Sequence, residues 1–117
     1  LPVSEDVRHW HASPRAAIGF LLHAATIELE LVGTDCNLTL PGLCASVKEQ
    51  IEALERAAGK NAVALIRREP DHFIESLVCS WPESFEAEKA RSLGFKAEKD
   101  FDEIIRIYME DELDTAF

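Results

Sequence analysis

Glycine is scarce in this sequence, and its five glycines stand far apart at positions 19, 33, 42, 59 and 94. Neither a Gly-x-Gly-x-x-Gly turn nor a Gly-Lys-Ser/Thr loop is present, and these are the backbone devices that cradle a pyrophosphate. A Gly-x-Ser-x-Gly nucleophile elbow is also missing. The 117 residues alone are therefore expected neither to bind a dinucleotide nor to turn over a substrate.

Cysteine is sparse as well, with three residues and no Cys-x-x-Cys pair. An odd number without paired spacing is typical of reduced, packed thiols and favours a reducing cytoplasm. His9 and His11 lie two positions apart in a predicted loop, while His23 and His72 are isolated from other ligand types. Because zinc sites need several His, Cys or carboxylate ligands at suitable spacing, no metal site is predicted.

Basic residues are few, since 12 Lys and Arg stand against 22 Asp and Glu for a net charge of −10. A nucleic-acid or anionic-membrane surface needs a basic footprint, so the charge argues against both classes of partner. The longest apolar run is too short to cross a bilayer and is interrupted by His23, Thr26 and Glu28. No basic segment precedes an apolar stretch at the start, so no targeting signal is predicted.

Most of the sequence consists of predicted helical segments with clear boundaries. Its 47% apolar residues suffice to form one core without disulfides. Helices are predicted from Pro14 to about Leu31, from Val47 to the residue before Gly59, from the residue after Asp71 to Trp81, from Glu86 to Leu93 and from Phe101 to about Asp114. A further short helical turn is predicted near 61–64, strands at 37–40 and 65–67, and an extended loop at 1–12. The predicted fold is a small, mainly helical α+β domain with a few short strands.

Capping residues mark the predicted helix starts. Ser13 precedes Pro14, which suits the first helical position because proline has no N–H to leave unpaired. Ser46 and Glu49 form a capping box, in which each side chain accepts a backbone N–H of the other residue. Asp71 and Asp100 are further cap candidates.

The first helix carries apolar side chains around most of its circumference, which indicates a helix surrounded by protein. These side chains are Ile18, Phe20, Leu21, Leu22, Ala24, Ala25, Ile27, Leu29 and Leu31. One stripe at spacings of three or four residues is small or polar. It consists of Arg15, Gly19, His23, Thr26 and Glu30.

The start of this helix is rich in cations and hydrogen-bond donors, at the end where the helix dipole favours anions. The residues concerned are Arg8, His9, Trp10, His11 and Arg15. Two interpretations remain open from these residues alone. They form an anion-binding site, or the aromatic rings fill the core while the arginines are solvated.

Residues 8–17 resemble the segment that opens the substrate-binding region of extended short-chain dehydrogenases/reductases, the sugar-nucleotide epimerase and dehydratase family. In that family an arginine, an aromatic residue two positions later and an alanine at the start of a buried helix recur in this register. Arg8, Trp10 and Ala17 match it. Ala12 stands where many members carry histidine.

The second half of the chain resembles the C-terminal end of these enzymes, where a proline-containing turn precedes a Leu-Gly-aromatic motif and a final helix. The matching stretches are Ser-Trp-Pro-Glu-Ser-Phe at 80–85, Ala-Arg-Ser-Leu-Gly-Phe at 90–95 and Phe-Asp-Glu-Ile-Ile-Arg at 101–106. Together with Leu-Pro-Gly-Leu at 40–43, they are most similar to the subgroup of D-erythronate dehydrogenases and related epimerase-like proteins.

The resemblance implies an α/β parent enzyme with an N-terminal Rossmann domain that binds NAD and a Tyr-x-x-x-Lys pair for hydride transfer. The one tyrosine, Tyr108, has Glu112 rather than a lysine four positions later, and the chain starts at Leu1 without an initiator methionine. Residues 1–117 are therefore interpreted as a C-terminal substrate-binding domain whose Rossmann domain lies upstream. Its expected partners are that domain and a sugar-acid or sugar-nucleotide substrate, with homo-oligomerisation left open.

Four side chains are expected to bind the substrate. Arg8, by its match to the family's substrate-contacting arginine, and Arg15, by its place in the first helical turn, would hold an anionic group. Trp10 and Trp81 would wall the pocket. No catalytic, cofactor-binding or metal-binding residue is expected in this chain.

Two alternatives stand beside this interpretation. Arg8 would instead pair with Asp6 or Glu5 at the surface, where an ion pair contributes about 0 to 1 kcal/mol. The whole chain would instead be a free-standing, non-enzymatic interaction module that docks through its apolar helix.

Overall fold

The computed structural model describes residues 1–113, which contain six helices and two strands. In chain order the elements are β1 (Arg8–His11), α1 (Pro14–Ala24), α2 (Leu29–Val32), β2 (Leu43–Ser46), α3 (Val47–Val63), α4 (His72–Val78), α5 (Glu88–Ser92) and α6 (Phe101–Glu112). The prediction of a small, mainly helical domain with few strands is confirmed. The far end of the last predicted helix, at 114, lies outside the described residues.

The two strands form one antiparallel pair, with Arg8 opposite Ser46 and Trp10 opposite Cys44. Residues 8–11 were expected in a loop, so that prediction is wrong. The strands predicted at 37–40 and 65–67 are also wrong.

Packing and local turns explain the two strands that do not form. The alternating leucines of 37–40, Leu38 and Leu40, pack against the cluster around Phe20 instead of marking a paired strand. At 65–67 the backbone N–H groups of Leu65 and Ile66 donate to carbonyls three residues earlier, which closes a turn. The apolar side chains at 37–40 are therefore explained by packing against the core, and those at 65–67 belong to a turn at the end of a helix.

The helix predicted to run to Leu31 breaks after Ala24, and a separate short helix follows. The hydroxyl and the backbone N–H of Thr26 both donate to the carbonyl of His23, at 2.8 and 2.9 Å. A threonine hydroxyl that bonds the preceding turn competes with regular helix, which gives a physical reason for the break. The prediction of one continuous helix is wrong.

Helix starts match the predicted caps. The side chains of Ser13, Ser46, Asp71 and Asp100 each accept a hydrogen bond from a backbone N–H in the first turn of the following helix. Gly59, at φ 80°, interrupts α3 with a conformation that favours glycine, and the short helical turn predicted after it is present. Local signals therefore located these boundaries.

The core is thin because the molecule is a slab, with principal extents of 51 × 40 × 18 Å. Its main buried cluster joins Phe20 of α1, Ala90 of α5 and Phe95, with the two phenylalanine rings 6.2 Å apart. Helix α3 packs against α6 and β2, and Ala53 of α3 and Ile107 of α6 are buried.

Apolar side chains on α1 and α2 remain uncovered. Phe20 is the buried residue of α1, whereas Leu21 is 74% and Leu29 is 73% exposed. We call this surface the α1–α2 face, and it comprises Ile18, Leu21, Leu22, Leu29 and Leu31. A helix surrounded by protein was expected, and within the described residues the chain does not provide that cover.

Within residues 1–113, no helix combines the length and the apolar character that a membrane span requires.

Candidate functional site

Strand β1 fixes Arg8 in a defined orientation. Its guanidinium donates through Nε to Cys44 Sγ at 3.4 Å and through Nη2 to the Cys44 carbonyl at 3.3 Å. Its Nη1 lies 3.2 Å from Glu49 Oε2. The hydrogen bond to Cys44, followed by the charges of Glu49 and Glu83, raises the pKa of Arg8 and keeps it charged.

The surface pairing weighed for Arg8 does not form as expected. Glu5 pairs with Arg68 at 2.6 Å, and the carboxylate paired with Arg8 is that of Glu49.

A small cavity of about 250 Å³ lies beside Arg8 and is walled by Trp81. Three carboxylates, those of Asp6, Glu75 and Glu83, also line it. Arg8 is the one cation among the lining residues, so the cavity combines a single positive group with an acidic rim.

Trp81 also borders a second cavity, of about 420 Å³, whose walls are aromatic. Its lining residues are His9, Trp10, His11, Trp81, Pro82 and Phe85. The rings of Trp10 and Phe85 meet edge to face with centroids 6.0 Å apart. Arg8 and Trp10 therefore line different cavities, and Trp81 borders both of them.

Gly42 holds the Trp10 ring in place through close approach. A Cβ added at Gly42 would lie 2.6 Å from both Trp10 Nε1 and the His11 carbonyl oxygen. We therefore expect Gly42→Ala to displace the indole, shift its fluorescence and lower the free energy of unfolding by about 1–2 kcal/mol.

Gly19→Ala is the matched control, because a Cβ there meets no atom within 4 Å and alanine favours helix α1. Unchanged stability and unchanged tryptophan fluorescence in Gly42→Ala would contradict this account of Trp10.

Arg15 lies apart from the other three predicted site residues. Its guanidinium pairs with Glu110 at 3.0 Å and with Asp111 at 2.5 Å, both on α6. The hydrogen bonds to Asp111 and then Glu110 raise the pKa of Arg15, and Arg15 in turn lowers the pKa of both carboxyls. Arg15 lines neither of the two cavities.

The two histidines of β1 are neighbours of the site. Burial, and then the charge of His9, lowers the pKa of His11, whose Nε2 lies 3.2 Å from Gln50 Nε2. The His9 ring meets Trp81 at a tilt of 57°, with centroids 5.5 Å apart, and its Nε2 is buried without a hydrogen-bond partner in the described chain. The described residues contain no group of three His, Cys, Asp or Glu side chains placed to hold a metal ion.

Sequence reasoning missed the residues that surround Arg8. Glu49 was visible only as a capping residue, and Cys44 carried no signal because its strand was not predicted. Phe85 lies within the 80–85 motif, and its place there is a signal for an aromatic wall.

The chain is similar in sequence to two enzymes of known name. No protein-family model matches it. The D-erythronate dehydrogenase of Cupriavidus necator is 38% identical over 110 residues, which is 94% of this chain and 34% of that protein. The D-erythronate dehydrogenase of Haemophilus influenzae is 30% identical over 109 residues, 93% of this chain and 35% of that protein.

A crystal structure of the nucleoside-diphosphate-sugar epimerase from Agrobacterium tumefaciens has the same fold, with a TM-score of 0.95 and 58% sequence identity. The match covers 97% of this chain and 33% of that one. These matches fit the C-terminal portion of an extended short-chain dehydrogenase/reductase. It spans about a third of the length of these relatives, and the resemblance predicted from residues 8–17 and 80–106 is confirmed.

Proposed function

We propose that this chain is the substrate-binding domain of an NAD-dependent dehydrogenase that oxidises a small sugar acid, D-erythronate by the name of its relatives. The observation that carries the proposal is the 38% identity to a D-erythronate dehydrogenase over 94% of the chain. In this proposal, a Rossmann domain elsewhere in the same polypeptide binds NAD and supplies the Tyr-x-x-x-Lys pair. Residues 1–117 then form one domain that holds the substrate.

The charges around Arg8 favour a sugar acid as the ligand. An arginine has five N–H groups, and three nitrogens of Arg8 already contact Cys44 and Glu49. The remaining N–H groups suit one carboxylate, whereas a diphosphate would bring more negative charge toward the acidic rim of the same cavity. Trp81, which borders both cavities, and Trp10, which lines the adjacent aromatic cavity, would exclude water from the bound substrate.

Arg15 enters the proposal in a lesser role. It lies in the first turn of α1 and adds positive charge at that helix end, but a substrate would have to displace Glu110 and Asp111 to reach its guanidinium. Arg8 is therefore proposed as the main anion-binding residue.

Epimerisation of a sugar nucleotide is the second candidate function, favoured by the 58% identity to a protein named as such an epimerase. The test incubates the enzyme that contains this chain with NAD and either D-erythronate or a nucleoside-diphosphate sugar. NADH formation with D-erythronate alone supports the first function, and epimerisation of the sugar nucleotide alone supports the second. Absence of both reactions contradicts both.

Calorimetry on the 117 residues alone tests whether NAD binding belongs to another domain. We expect no binding of NAD, because the glycine-rich turn is absent. Micromolar affinity for NAD would contradict the assignment of cofactor binding to another domain.

The α1–α2 face is proposed to pack against the Rossmann domain, since contiguous apolar surface beyond a few hundred Å² is uncommon on monomers. We therefore expect the isolated chain to self-associate and to bind a hydrophobic dye, and Leu21→Glu combined with Leu29→Glu to reduce both. Sedimentation velocity across a range of concentrations measures the effect.

Leu65→Glu is the control for that experiment, because Leu65 is 82% exposed but lies outside the α1–α2 face. A chain that stays monomeric at every concentration and binds no dye would contradict the proposed packing.

A further inference from the structure

We propose that Glu49 is a positioning residue for the substrate-binding arginine, because its carboxylate holds the Arg8 guanidinium in the orientation that receives the substrate anion. This inference rests on the proposed function. It assigns to Glu49 a second task beside capping α3.

Hydrogen bonds with Ser46 hold Glu49 in place independently of Arg8. Its Oε2 accepts the backbone N–H of Ser46 at 2.6 Å, and the Ser46 hydroxyl accepts the backbone N–H of Glu49 at 3.1 Å. Ser46 is also the cross-strand partner of Arg8 in the β1–β2 pair. The capping box therefore anchors Glu49 to the same strand pair that carries Arg8.

Arg8 is held from two sides. Cys44 accepts hydrogen bonds from Nε and Nη2, and Glu49 Oε2 lies 3.2 Å from Nη1. An arginine side chain is long and flexible, and a guanidinium that is already oriented loses less freedom when it binds an anion. Without Glu49, only the two long hydrogen bonds to Cys44, at 3.4 and 3.3 Å, would hold the guanidinium in this orientation.

Two possible effects of Glu49 on substrate binding, orientation of Arg8 and competition for its charge, predict opposite changes in KM. If the charge of Glu49 merely competes with the substrate for Arg8, its removal should lower KM. If Glu49 orients Arg8, its removal should raise KM. The pair is partly exposed, at 39% for the arginine and 50% for the glutamate side chain, so solvent screens the charge whereas the loss of orientation persists.

The ionised form of Glu49 is present at neutral pH. The backbone N–H and then the side chain of Ser46 lower the pKa of the Glu49 carboxyl, and Arg8 lowers it further. The ion pair is thus available under ordinary assay conditions.

The experiment compares four variants of the enzyme that contains this chain, with a sugar acid as substrate. Glu49→Gln keeps an oxygen that accepts the Ser46 N–H and should raise KM about two- to tenfold with kcat nearly unchanged. Ser46→Ala removes the serine cap but keeps the Ser46 N–H to Glu49, so it should lower thermal stability and raise KM less than Glu49→Gln does. Arg8→Gln combined with Glu49→Gln should have the KM of Arg8→Gln alone.

The remaining outcomes overturn the inference in distinguishable ways. A KM that is unchanged or lower in Glu49→Gln, while Arg8→Gln raises it, removes the positioning role alone. A double variant whose KM exceeds that of Arg8→Gln shows that Glu49 does not act through Arg8. An unchanged KM in Arg8→Gln shows that Arg8 does not bind the substrate anion and removes this role with it, whereas no turnover of a sugar acid by the unmodified enzyme overturns the proposed function.

Discussion

Replacing Glu98 by alanine should lower the free energy of unfolding of this domain by about 2–4 kcal/mol. Glu98 is buried, and its carboxylate accepts the backbone N–H of Ser13 at 3.3 Å and also the Ser13 hydroxyl. Ser13 is the N-cap of α1, so the carboxylate lies at the positive end of that helix. Alanine would remove both hydrogen bonds and leave a buried N–H without its partner.

Chemical unfolding of three variants separates the causes of this loss. Glu98→Gln retains one acceptor oxygen and should lose less stability than Glu98→Ala. Glu55→Ala replaces an exposed glutamate of α3 and should change the free energy of unfolding by about 0.5 kcal/mol or less. Equal stability of Glu98→Ala and Glu55→Ala would show that the bond to Ser13 does not hold α1 in place.

Helix starts were predictable because each cap acts within four residues of chain. Ser46 and Glu49 exchange hydrogen bonds across one turn, so the sequence contains both partners of that interaction. The strand Arg8–His11 was not predictable in the same way, because its four residues show no alternation of apolar and polar side chains. Its partner, Leu43–Ser46, lies far along the chain, and only the folded backbone joins the two.

The candidate site residues that were predictable are those that lie in the motifs shared with the family. Arg8 and Trp10 lie in the first of these motifs and Trp81 lies in the second matching stretch. In the structure, Trp81 borders both the cavity beside Arg8 and the cavity lined by Trp10. The acidic rim and Glu49 come from other elements, so no local pattern could connect them with Arg8. The partners of Arg15 on α6 were hidden for the same reason.

For the α1–α2 face, the sequence predicted an apolar surface but not the part of the protein that covers it. A helix with apolar residues on most sides predicts protein contact. It does not identify the part of the polypeptide that supplies the contact. The relatives are about three times as long as this chain, which is consistent with cover from another domain.

Arg8→Gln in the enzyme should lower kcat/KM for the sugar acid about 10- to 150-fold, the loss expected when a charged hydrogen bond worth about 1.5–3 kcal/mol is removed. Arg8 is the one cation that lines the cavity beside Trp81, so no neighbouring lining residue can replace its charge. Arg15→Gln should have a smaller effect, because Arg15 is already paired with Glu110 and Asp111. Steady-state kinetics of both variants measure the difference.

Arg68→Gln is the matched control, because Arg68 is a surface arginine paired with Glu5 and does not line the cavity beside Arg8. It should leave kcat/KM unchanged, which separates the loss of a general positive charge from the loss of a specific contact. If Arg8→Gln and Arg15→Gln both retain full kcat/KM and a folded state, the substrate anion binds elsewhere. The cavity beside Arg8 would then lose its assignment as the site of the substrate anion.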